Sequence, residues 1–295
     1  MRRLLFCLVA AVAALSACGP SPDRSDKISV VASTNVWGSV AAAVGGDFVQ
    51  VRSIIDDPAQ DPHSYDASPA DAAALSDAQL VVYNGGGYDG FAEKVLAQHG
   101  TVSRVDAFTV GGHQRGSNPH VFYDLGTVAL VADAIARQLG AADPTHGADY
   151  TSNAQRFTAG IDDIEATQRA VAAAHPGAVA IATEDIAEYL ETATGLTDKT
   201  PEGYLRAVAA DTDPPPADIA AVLDVIDSHD AQVVLFNPQT ETSVTRRIVD
   251  AANAGGVPVV EVRETLPAGS DFLSWQRHTV EQLSAALQAT DVHTP

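Results

Sequence analysis

Short apolar runs alternate with longer segments of helical periodicity along the chain from residue 28 onward. Runs of about four to eight apolar residues, rich in β-branched side chains, are typical of buried strands, and their alternation with helices is typical of parallel sheets. We therefore predict an α/β fold with mainly parallel strands. The predicted strands are residues 28–33, 48–55, 80–83, 102–105, 178–183 and 257–262.

A segment of eight residues occurs twice in the chain. Residues 77–84 (DAQLVVYN) recur as residues 230–237 (DAQVVLFN), with five identical positions and three exchanges between apolar side chains. Each copy follows a predicted helix that begins with Pro-Ala-Asp, at residues 69–71 and 216–218, and Pro is favoured at the first position of a helix. The repeat predicts two similar lobes, each a mainly parallel sheet flanked by helices.

One long helix is predicted between the lobes. Residues 143–175 contain only two glycines and carry apolar side chains at roughly helical spacing. A helix of about 30 residues is about 45 Å long, and a connection this stiff predicts small lobe movements. The predicted boundaries are 28–140 for the N-terminal lobe, 141–176 for the connecting helix and 177–295 for the C-terminal lobe.

The N-terminus has the features of a secretion signal. Arg2 and Arg3 precede an apolar stretch at residues 4–14, which is too short to span a bilayer. Residues 15–18 (LSAC) resemble the bacterial lipobox, in which the signal is cut before a cysteine that then receives a diacylglycerol. An ordinary cleavage site that happens to precede Cys18 is the alternative. We predict a signal peptide at residues 1–17 and a lipidated tether at residues 18–27.

Cysteine usage agrees with lipidation. Cys7 would be removed with the signal, so Cys18 would be the single cysteine of the mature chain. One cysteine forms neither an internal disulfide nor a thiolate zinc cluster. The predicted location is the outer face of the cytoplasmic membrane, at the cell surface or in a periplasm.

The charge balance restricts the partners. The chain has 17 Lys and Arg against 38 Asp and Glu, a formal net charge of -21, which argues against nucleic-acid binding. The same field attracts cations. Hydrophobic residues make up 46% and charged residues 19%, which indicates a globular chain.

Titratable side chains recur where strands are predicted to end, which is where ligands bind in α/β sheets. His63 and His120 each follow a proline, which stiffens the loop, although either histidine alone would be an ordinary loop residue. Glu184 and Asp185 follow a strand, and we expect Asp185 to cap the next helix and leave Glu184 free. Glu264 follows the last strand, with a surface ion pair to Arg263 as the alternative.

These motifs resemble the metal-binding lipoprotein component of bacterial ABC importers for zinc and manganese, the cluster A-I solute-binding proteins. The resemblance covers nearly all of the mature chain. It rests on the lipobox, the long helix and four motifs: DPH at residues 61–63, SPAD at 68–71, NPHVFYD at 118–124 and EDIAEYL at 184–190. It implies two (β/α) lobes joined by one long helix, with a metal ion buried between them.

The resemblance also implies the metal ligands. By position they are His63, His120, Glu184 and Glu264. The usual fourth residue is Asp, so Glu261 or Asp271 could take the place of Glu264. Residues 237–239 (NPQ) depart from the acidic form that is common in the family.

A set of two imidazoles and two carboxylates is oxygen-rich, and such sites suit Mn²⁺ or Fe²⁺ better than zinc. Zinc-specialised relatives often carry a His-rich loop before the second histidine, whereas residues 110–117 hold only His113. We rank manganese slightly ahead of zinc and iron third, as a transported ion. The implied partners are an ABC permease and, through the lipid anchor, the membrane; we expect a monomer that binds no nucleic acid.

Three other functions compete with metal delivery. A secreted metallohydrolase would use Glu184 as a general base, but the chain has no H-E-x-x-H or G-x-S-x-G motif, so we expect no enzyme. A binding protein for an organic solute such as a siderophore would place aromatic or Arg side chains between the lobes. A role as a cell-surface adhesin leaves no sequence signature.

Overall fold

The computed structural model describes residues 27–210 and 212–291. The predicted signal peptide and the lipidation site Cys18 lie outside the described residues.

In the described residues, eight parallel strands form two four-stranded sheets. Most of them are short apolar runs, as the sequence pattern predicts. The strands are β1 (Ile28–Thr34), β2 (Val49–Ile55), β3 (Leu80–Tyr83), β4 (Ser103–Asp106), β5 (Val179–Ala182), β6 (Thr197–Asp198), β7 (Val233–Phe236) and β8 (Val259–Glu261).

The two sheets have the same topology. The strand order is β2-β1-β3-β4 in the first sheet and β6-β5-β7-β8 in the second, and every described pair is parallel. The register agrees as well, since Val30 pairs with Leu80 and Ala180 pairs with Val233. Leu80 and Val233 occupy the same position in the repeated segment. The prediction of two similar, mainly parallel lobes is therefore confirmed; we call them the N-lobe (β1–β4) and the C-lobe (β5–β8).

Eleven α-helices in the described residues flank the sheets and connect them. They are α1 (Asn35–Gly45), α2 (Pro69–Asp77), α3 (Gly90–Gln98), α4 (Ala107–Val110), α5 (Leu125–Ala142), α6 (Gly147–Ala174), α7 (Glu188–Thr194), α8 (Glu202–Ala209), α9 (Pro216–Asp227), α10 (Ser243–Gly255) and α11 (Phe272–Asp291).

The long helix between the lobes is α6, and its 28 residues are about 42 Å long. It begins later than the sequence pattern predicts. Pro144 opens a separate 3₁₀ turn, in which the side chain of Asp143 accepts a hydrogen bond from the Thr145 N–H. Because that turn has its own cap, the α-helix starts only at Gly147.

One apolar core runs through both lobes. It joins β1 (Val30) and the buried face of α5 (Val128) to β5 (Ala180) and to α11 (Phe272). Two smaller apolar clusters lie on the outer sides of the two sheets. In the described part of the chain, α5 is the one helix long and apolar enough to cross a membrane by length and composition, and it packs in this core.

The C-terminal helix α11 adds a second connection between the lobes. It packs against α6 and α1, and its Phe272 N–H donates to the Ser39 hydroxyl at 2.9 Å. Just before it, the side chain of Asn35 exchanges two hydrogen bonds with the backbone of Leu266. The lobes are thus fixed to each other by more than the long helix.

Candidate metal centre

The candidate ligands lie at the carboxyl ends of the strands of both sheets. His63 lies in the loop after β2, and His120 lies in the segment that follows β4 and the short α4. Glu184 follows β5, and Glu264 follows β8. In parallel α/β sheets this edge is where ligands bind, and here the two edges face each other.

Three of these side chains converge on one point. His63 Nε2 lies 3.2 Å from His120 Nε2 and 3.2 Å from Glu264 Oε2, and His120 Nε2 lies 3.8 Å from the same oxygen. The three ligand atoms all lie within 4.8 Å of one another. Two nitrogens that are each about 2.0–2.1 Å from a tetrahedral metal ion are about 3.3 Å apart. The imidazole pair therefore has the spacing of a metal-binding pair.

The Glu264 carboxylate is fully buried, and its Oε2 has no hydrogen-bond partner of good geometry in the described residues. The neighbouring Tyr88 hydroxyl is also buried without such a partner. Buried polar atoms are normally hydrogen-bonded, because leaving one unpaired costs about 1–3 kcal/mol. A cation at this point would give the Oε2 lone pair a partner.

The orientation of His120 is set by a neighbouring amide. Its Nδ1–H donates to Asn118 Oδ1 at 2.7 Å, which leaves the Nε2 lone pair free toward His63 and Glu264. The Asn118 Nδ2 in turn donates to the Asp185 carbonyl oxygen and to Glu188 in the C-lobe. Metal-binding histidines are commonly oriented by a hydrogen bond of this kind.

His63 is the most exposed of the three ligands, with 41% of its side chain accessible. Its backbone N–H donates to Asp61 Oδ1, and its ring meets the Tyr88 ring edge to face at 4.9 Å. The loop between β2 and α2 itself contains no helix or strand. The C-lobe helps to hold it: Gln239 Nε2 donates to the Gln60 carbonyl oxygen, and the Thr265 hydroxyl donates to the Pro58 carbonyl oxygen.

Glu184 lies beside this cluster but outside the 4.8 Å group. Its Oε1 accepts from the Thr240 hydroxyl, and its Oε2 accepts from Asn237 Nδ2 at 3.0 Å. The expectation that Asp185 caps a helix is wrong. Glu184 occupies the cap position of the 3₁₀ turn Asp185–Ala187, and neither side chain makes a capping bond there.

The two alternative ligands lie away from the cluster. Glu261 is exposed and pairs with Arg263, so that arginine does not pair with Glu264. Asp271 accepts a hydrogen bond from the Ser274 N–H at the start of α11. Of the three carboxylates considered for the fourth position, only Glu264 faces the histidines.

Asn237 is a site residue that the sequence did not reveal. Its Nδ2 donates to Glu184 Oε2 at 3.0 Å and to Glu264 Oε1 at 3.1 Å, so one amide group joins both carboxylates. The repeated segment points to this residue, because both copies end in an asparagine. Asn84 ends the first copy, and its Nδ2 donates to the carbonyl oxygen of Pro119, just before His120.

The pKa values in the centre are strongly perturbed. Burial lowers the pKa of His120 to about 4 and raises that of Glu184 to about 7. Burial also lowers the pKa of His63, but the Glu264 carboxylate, 3.2 Å from His63 Nε2, outweighs burial and holds the pKa above its usual value. Burial raises the pKa of Glu264, yet the two histidines outweigh it and leave the pKa low. Without a metal ion, His63 and Glu264 thus each favour the charged form of the other.

His113, the one histidine of the preceding loop, has a different place. Its Nε2 lies 2.9 Å from the Thr127 hydroxyl and 3.2 Å from Asp124, and its ring packs against Tyr189. The Tyr189 hydroxyl donates to the Asn118 carbonyl oxygen. These contacts join the lobes beside the centre without adding a ligand to it.

Comparison with known proteins places the chain in a family. Residues 30–286 match the family described as ZnuA, zinc-uptake complex component A, periplasmic. The iron ABC transporter substrate-binding lipoprotein MtsA of Streptococcus pyogenes serotype M1 is 26% identical over 276 residues, covering 86% of this chain and 85% of that protein. The manganese ABC transporter substrate-binding lipoprotein PsaA of Streptococcus pneumoniae is 27% identical, covering 75% of this chain and 76% of that protein.

A solved structure has a similar fold. The periplasmic zinc-binding protein TroA of Treponema pallidum superposes with a TM-score of 0.75 at 20% identity, covering 88% of this chain and 99% of that one. The family match spans both sheets, the long helix and all four candidate ligands. The chain belongs to the ZnuA family, the cluster A-I metal-binding substrate-binding proteins.

Proposed function

We propose that the chain captures one divalent transition-metal ion between its lobes and delivers it to an ABC permease. The observation that carries the proposal is the convergence of His63, His120 and Glu264, in which a buried carboxylate oxygen lies near both imidazoles but has no hydrogen bond of good geometry in the described residues. The acidic chain adds a field that attracts cations. This function needs no catalytic step.

Glu184 completes the set of four ligands in this proposal. Its carboxylate faces the same space as His63 and His120, and Asn237 connects it to Glu264. Burial raises the pKa of Glu184 to about 7 in the metal-free site, and a bound cation favours the charged carboxylate. The metal ion would thus be held by two imidazoles and two carboxylates.

Manganese ranks slightly ahead of zinc, and iron third. Two carboxylates make the set oxygen-rich, which suits Mn²⁺ and Fe²⁺. The names of the relatives support the same group of metals, since PsaA is described as a manganese protein and MtsA as an iron protein. Zn²⁺ binds more tightly than Mn²⁺ at most such sites, so selection would depend on geometry and supply.

Substrate-binding proteins of ABC importers work with a permease and an ATPase. We propose that this chain does so as a monomer, held at the outer face of the membrane through a diacylglycerol on Cys18. The lipoprotein descriptions of MtsA and PsaA support the anchor, as does the lipobox-like segment that ends at Cys18.

Thermal unfolding of a soluble form that begins at residue 19 tests the metal site. After removal of metal, the protein is titrated with Mn²⁺, Zn²⁺ or Fe²⁺; an ion at a thousand times its dissociation constant adds about 4 kcal/mol to the free energy of unfolding. We expect His63→Ala and Glu264→Gln to abolish this gain. His278→Ala, an exposed histidine on α11, is the matched control and should keep it. A gain that persists in both site variants, or no gain with any of the ions, would overturn the proposal.

A further inference from the structure

The four proposed ligands do not yet fit around one ion. Two atoms that are each about 2.0–2.2 Å from the same ion lie at most about 4.4 Å apart. The ligand atoms of His63, His120 and Glu264 meet this limit, with separations of 3.2, 3.2 and 3.8 Å. Glu184 lies outside the group whose ligand atoms are all within 4.8 Å of one another. Its carboxylate must therefore move inward before it can share an ion with the other three.

Two hydrogen bonds hold Glu184 in this outer position. Its Oε1 accepts from the Thr240 hydroxyl, and its Oε2 accepts from Asn237 Nδ2 at 3.0 Å. The Asn237 amide also donates to Glu264 Oε1 at 3.1 Å, so this bond keeps Glu184 beside the three-ligand group. The bond from Thr240 holds the other oxygen of Glu184 and is the one that an inward turn of the carboxylate would break.

The hydroxyl of Thr240 is held in place by the fold. Thr240 is half-buried and ends the 3₁₀ turn Pro238–Thr240, in which the Asn237 side chain accepts a hydrogen bond from the Gln239 N–H at 2.9 Å. The side chain of Gln239 in turn accepts from the Glu264 N–H at 2.7 Å and donates to the Thr265 hydroxyl at 3.0 Å. The turn that carries Thr240 is thus fixed on the C-lobe, whereas the Glu184 side chain can rotate.

An ion and the Thr240 hydroxyl compete for the same carboxylate. Hydrogen bonds to charged groups are stronger than those between neutral groups, so giving up the bond from Thr240 opposes metal binding. The negative charge of Glu264 acts on Glu184 and favours the outer position as well, until a cation lies between the two carboxylates.

We propose that Thr240 is a positioning residue, whose hydroxyl holds Glu184 outside the metal centre until the other three ligands have bound an ion. Glu184 is then the last ligand to bind and the first to leave. The hydroxyl lowers the affinity that four ligands would otherwise give, which favours release of the ion at a permease. This inference rests on the proposed function, because it needs the metal site.

Competition titration against a chelator tests this inference on the soluble form that begins at residue 19. Thr240→Val removes the hydroxyl and keeps the shape, so at pH 8 it should bind Mn²⁺ or Zn²⁺ about three- to thirtyfold more tightly than the wild type does. Thr240→Ala, which also lacks the hydroxyl, should show the same gain. Thr240→Ser keeps the hydroxyl and should bind as the wild type does. Thr192→Val makes the same exchange at an exposed position of α7 and is the matched control.

The outcomes distinguish the inference from the proposed function. If the wild type binds metal and Thr240→Val binds equally or more weakly, the inference is wrong and the proposed function stands. If the wild type binds none of the ions, the proposed function fails and the inference fails with it.

A double-mutant cycle separates this role from a general effect on the fold. In Glu184→Ala no carboxylate remains for the hydroxyl to hold, so adding Thr240→Val should leave the affinity of that variant unchanged. In Thr240→Val alone, the tighter binding should appear as slower dissociation into excess EDTA, since the three ligands that capture the ion are unchanged. The same gain with and without Glu184, or a gain confined to the association rate, would overturn the inference.

Discussion

The side-chain NH₂ of Asn237 donates one hydrogen bond to Glu184 and another to Glu264. Since Asn237 is itself buried, it fixes the two carboxylates relative to each other before any ion binds. The corresponding asparagine of the N-lobe, Asn84, holds the backbone next to His120. Each lobe therefore orients its own ligands through the residue that ends its copy of the repeat.

Replacing Asn237 should weaken metal binding without removing a ligand. We expect Asn237→Ala to reduce affinity about 10- to 100-fold, the usual effect of losing a residue that orients metal ligands. Calorimetric titration of the metal-free protein measures this change. Asn253→Ala, an exposed asparagine on α10, is the matched control and should bind as the wild type does. Wild-type affinity in Asn237→Ala would show that the carboxylates need no orienting amide.

Metal affinity should fall as the pH falls through about 7, the pKa of Glu184 in the metal-free protein. In the metal-free protein the pKa of His63 lies above its usual value and that of Glu184 is about 7. Near pH 6 both groups carry protons that a metal ion must displace, whereas above both pKa values no proton has to leave. Each displaced proton lowers affinity by up to about tenfold per pH unit. Competition with a chromophoric chelator at pH 8 and pH 6 measures the loss.

Two variants test which side chains release these protons. Glu184→Gln removes one titrating group, so its affinity should be lower overall but should depend less steeply on pH. His278→Ala should keep the wild-type dependence, because that exposed histidine lies outside the centre. An affinity that is constant from pH 8 to pH 6 in the wild type would contradict the prediction.

At the scale of elements, the close packing of α6 and α11 depends on a glycine. A Cβ atom at Gly160 would lie 2.6 Å from Leu273 Cδ1, which is far inside normal contact distance. The missing side chain lets the C-terminal helix lie directly on the long helix. Since α11 also touches α1, this contact determines how both lobes meet.

A large side chain at Gly160 should separate the two helices. We expect Gly160→Ile to lower the free energy of unfolding by about 1–3 kcal/mol, the usual cost of overpacking a core, measured by urea denaturation. Ala173→Ile places the same side chain at an exposed position of α6 and should change stability by less than about 0.5 kcal/mol. Equal stability of the two variants would show that α11 adapts without cost.

Most elements could be predicted from local pattern, and their ends could not. Runs such as β3 and β7 are apolar because both faces of their sheets are covered, and that composition is visible in the sequence. The start of α6 depends on a hydrogen bond between the Asp143 side chain and a backbone N–H two residues later, which periodicity does not show. The capping expectation for Asp185 failed for the same reason, because the chain there turns as a 3₁₀ segment.

The candidate centre, too, could be predicted from the sequence only in part. His63, His120, Glu184 and Glu264 could be selected because their motifs resemble a family. The role of Asn237 could not be inferred, since its partners Glu184 and Glu264 lie 53 and 27 residues away in the chain.

At the scale of the whole molecule, the two lobes share one apolar core. The core contains residues of both sheets, of the long helix and of α11. Separating the lobes would expose this surface at a cost of about 25 cal/mol per Å² of apolar area. The relation between the lobes is therefore expected to change little when an ion binds.

A shared core also predicts one unfolding transition. We expect scanning calorimetry of the metal-free soluble form to show a single peak, with a calorimetric enthalpy equal to the van't Hoff enthalpy. Gly160→Ile should shift that peak to lower temperature without dividing it. Two resolved peaks would mean that the lobes unfold independently and that the contacts of α6 and α11 do not couple them.

The shared core should affect how fast an ion binds and how long it stays bound. A site that is formed before the ion arrives, on a chain with a formal net charge of -21, collects cations quickly, because little must rearrange and the field draws them in. Association rates vary less than affinities among similar ligands, so metals should differ mainly in how long each stays bound. With the lobes fixed, we expect the centre to open by displacement of the His63 loop, which carries the most exposed ligand. Contacts from the C-lobe to Gln60 and Pro58 would then set the residence time of the ion on the undocked protein, and a permease that breaks those contacts would shorten it.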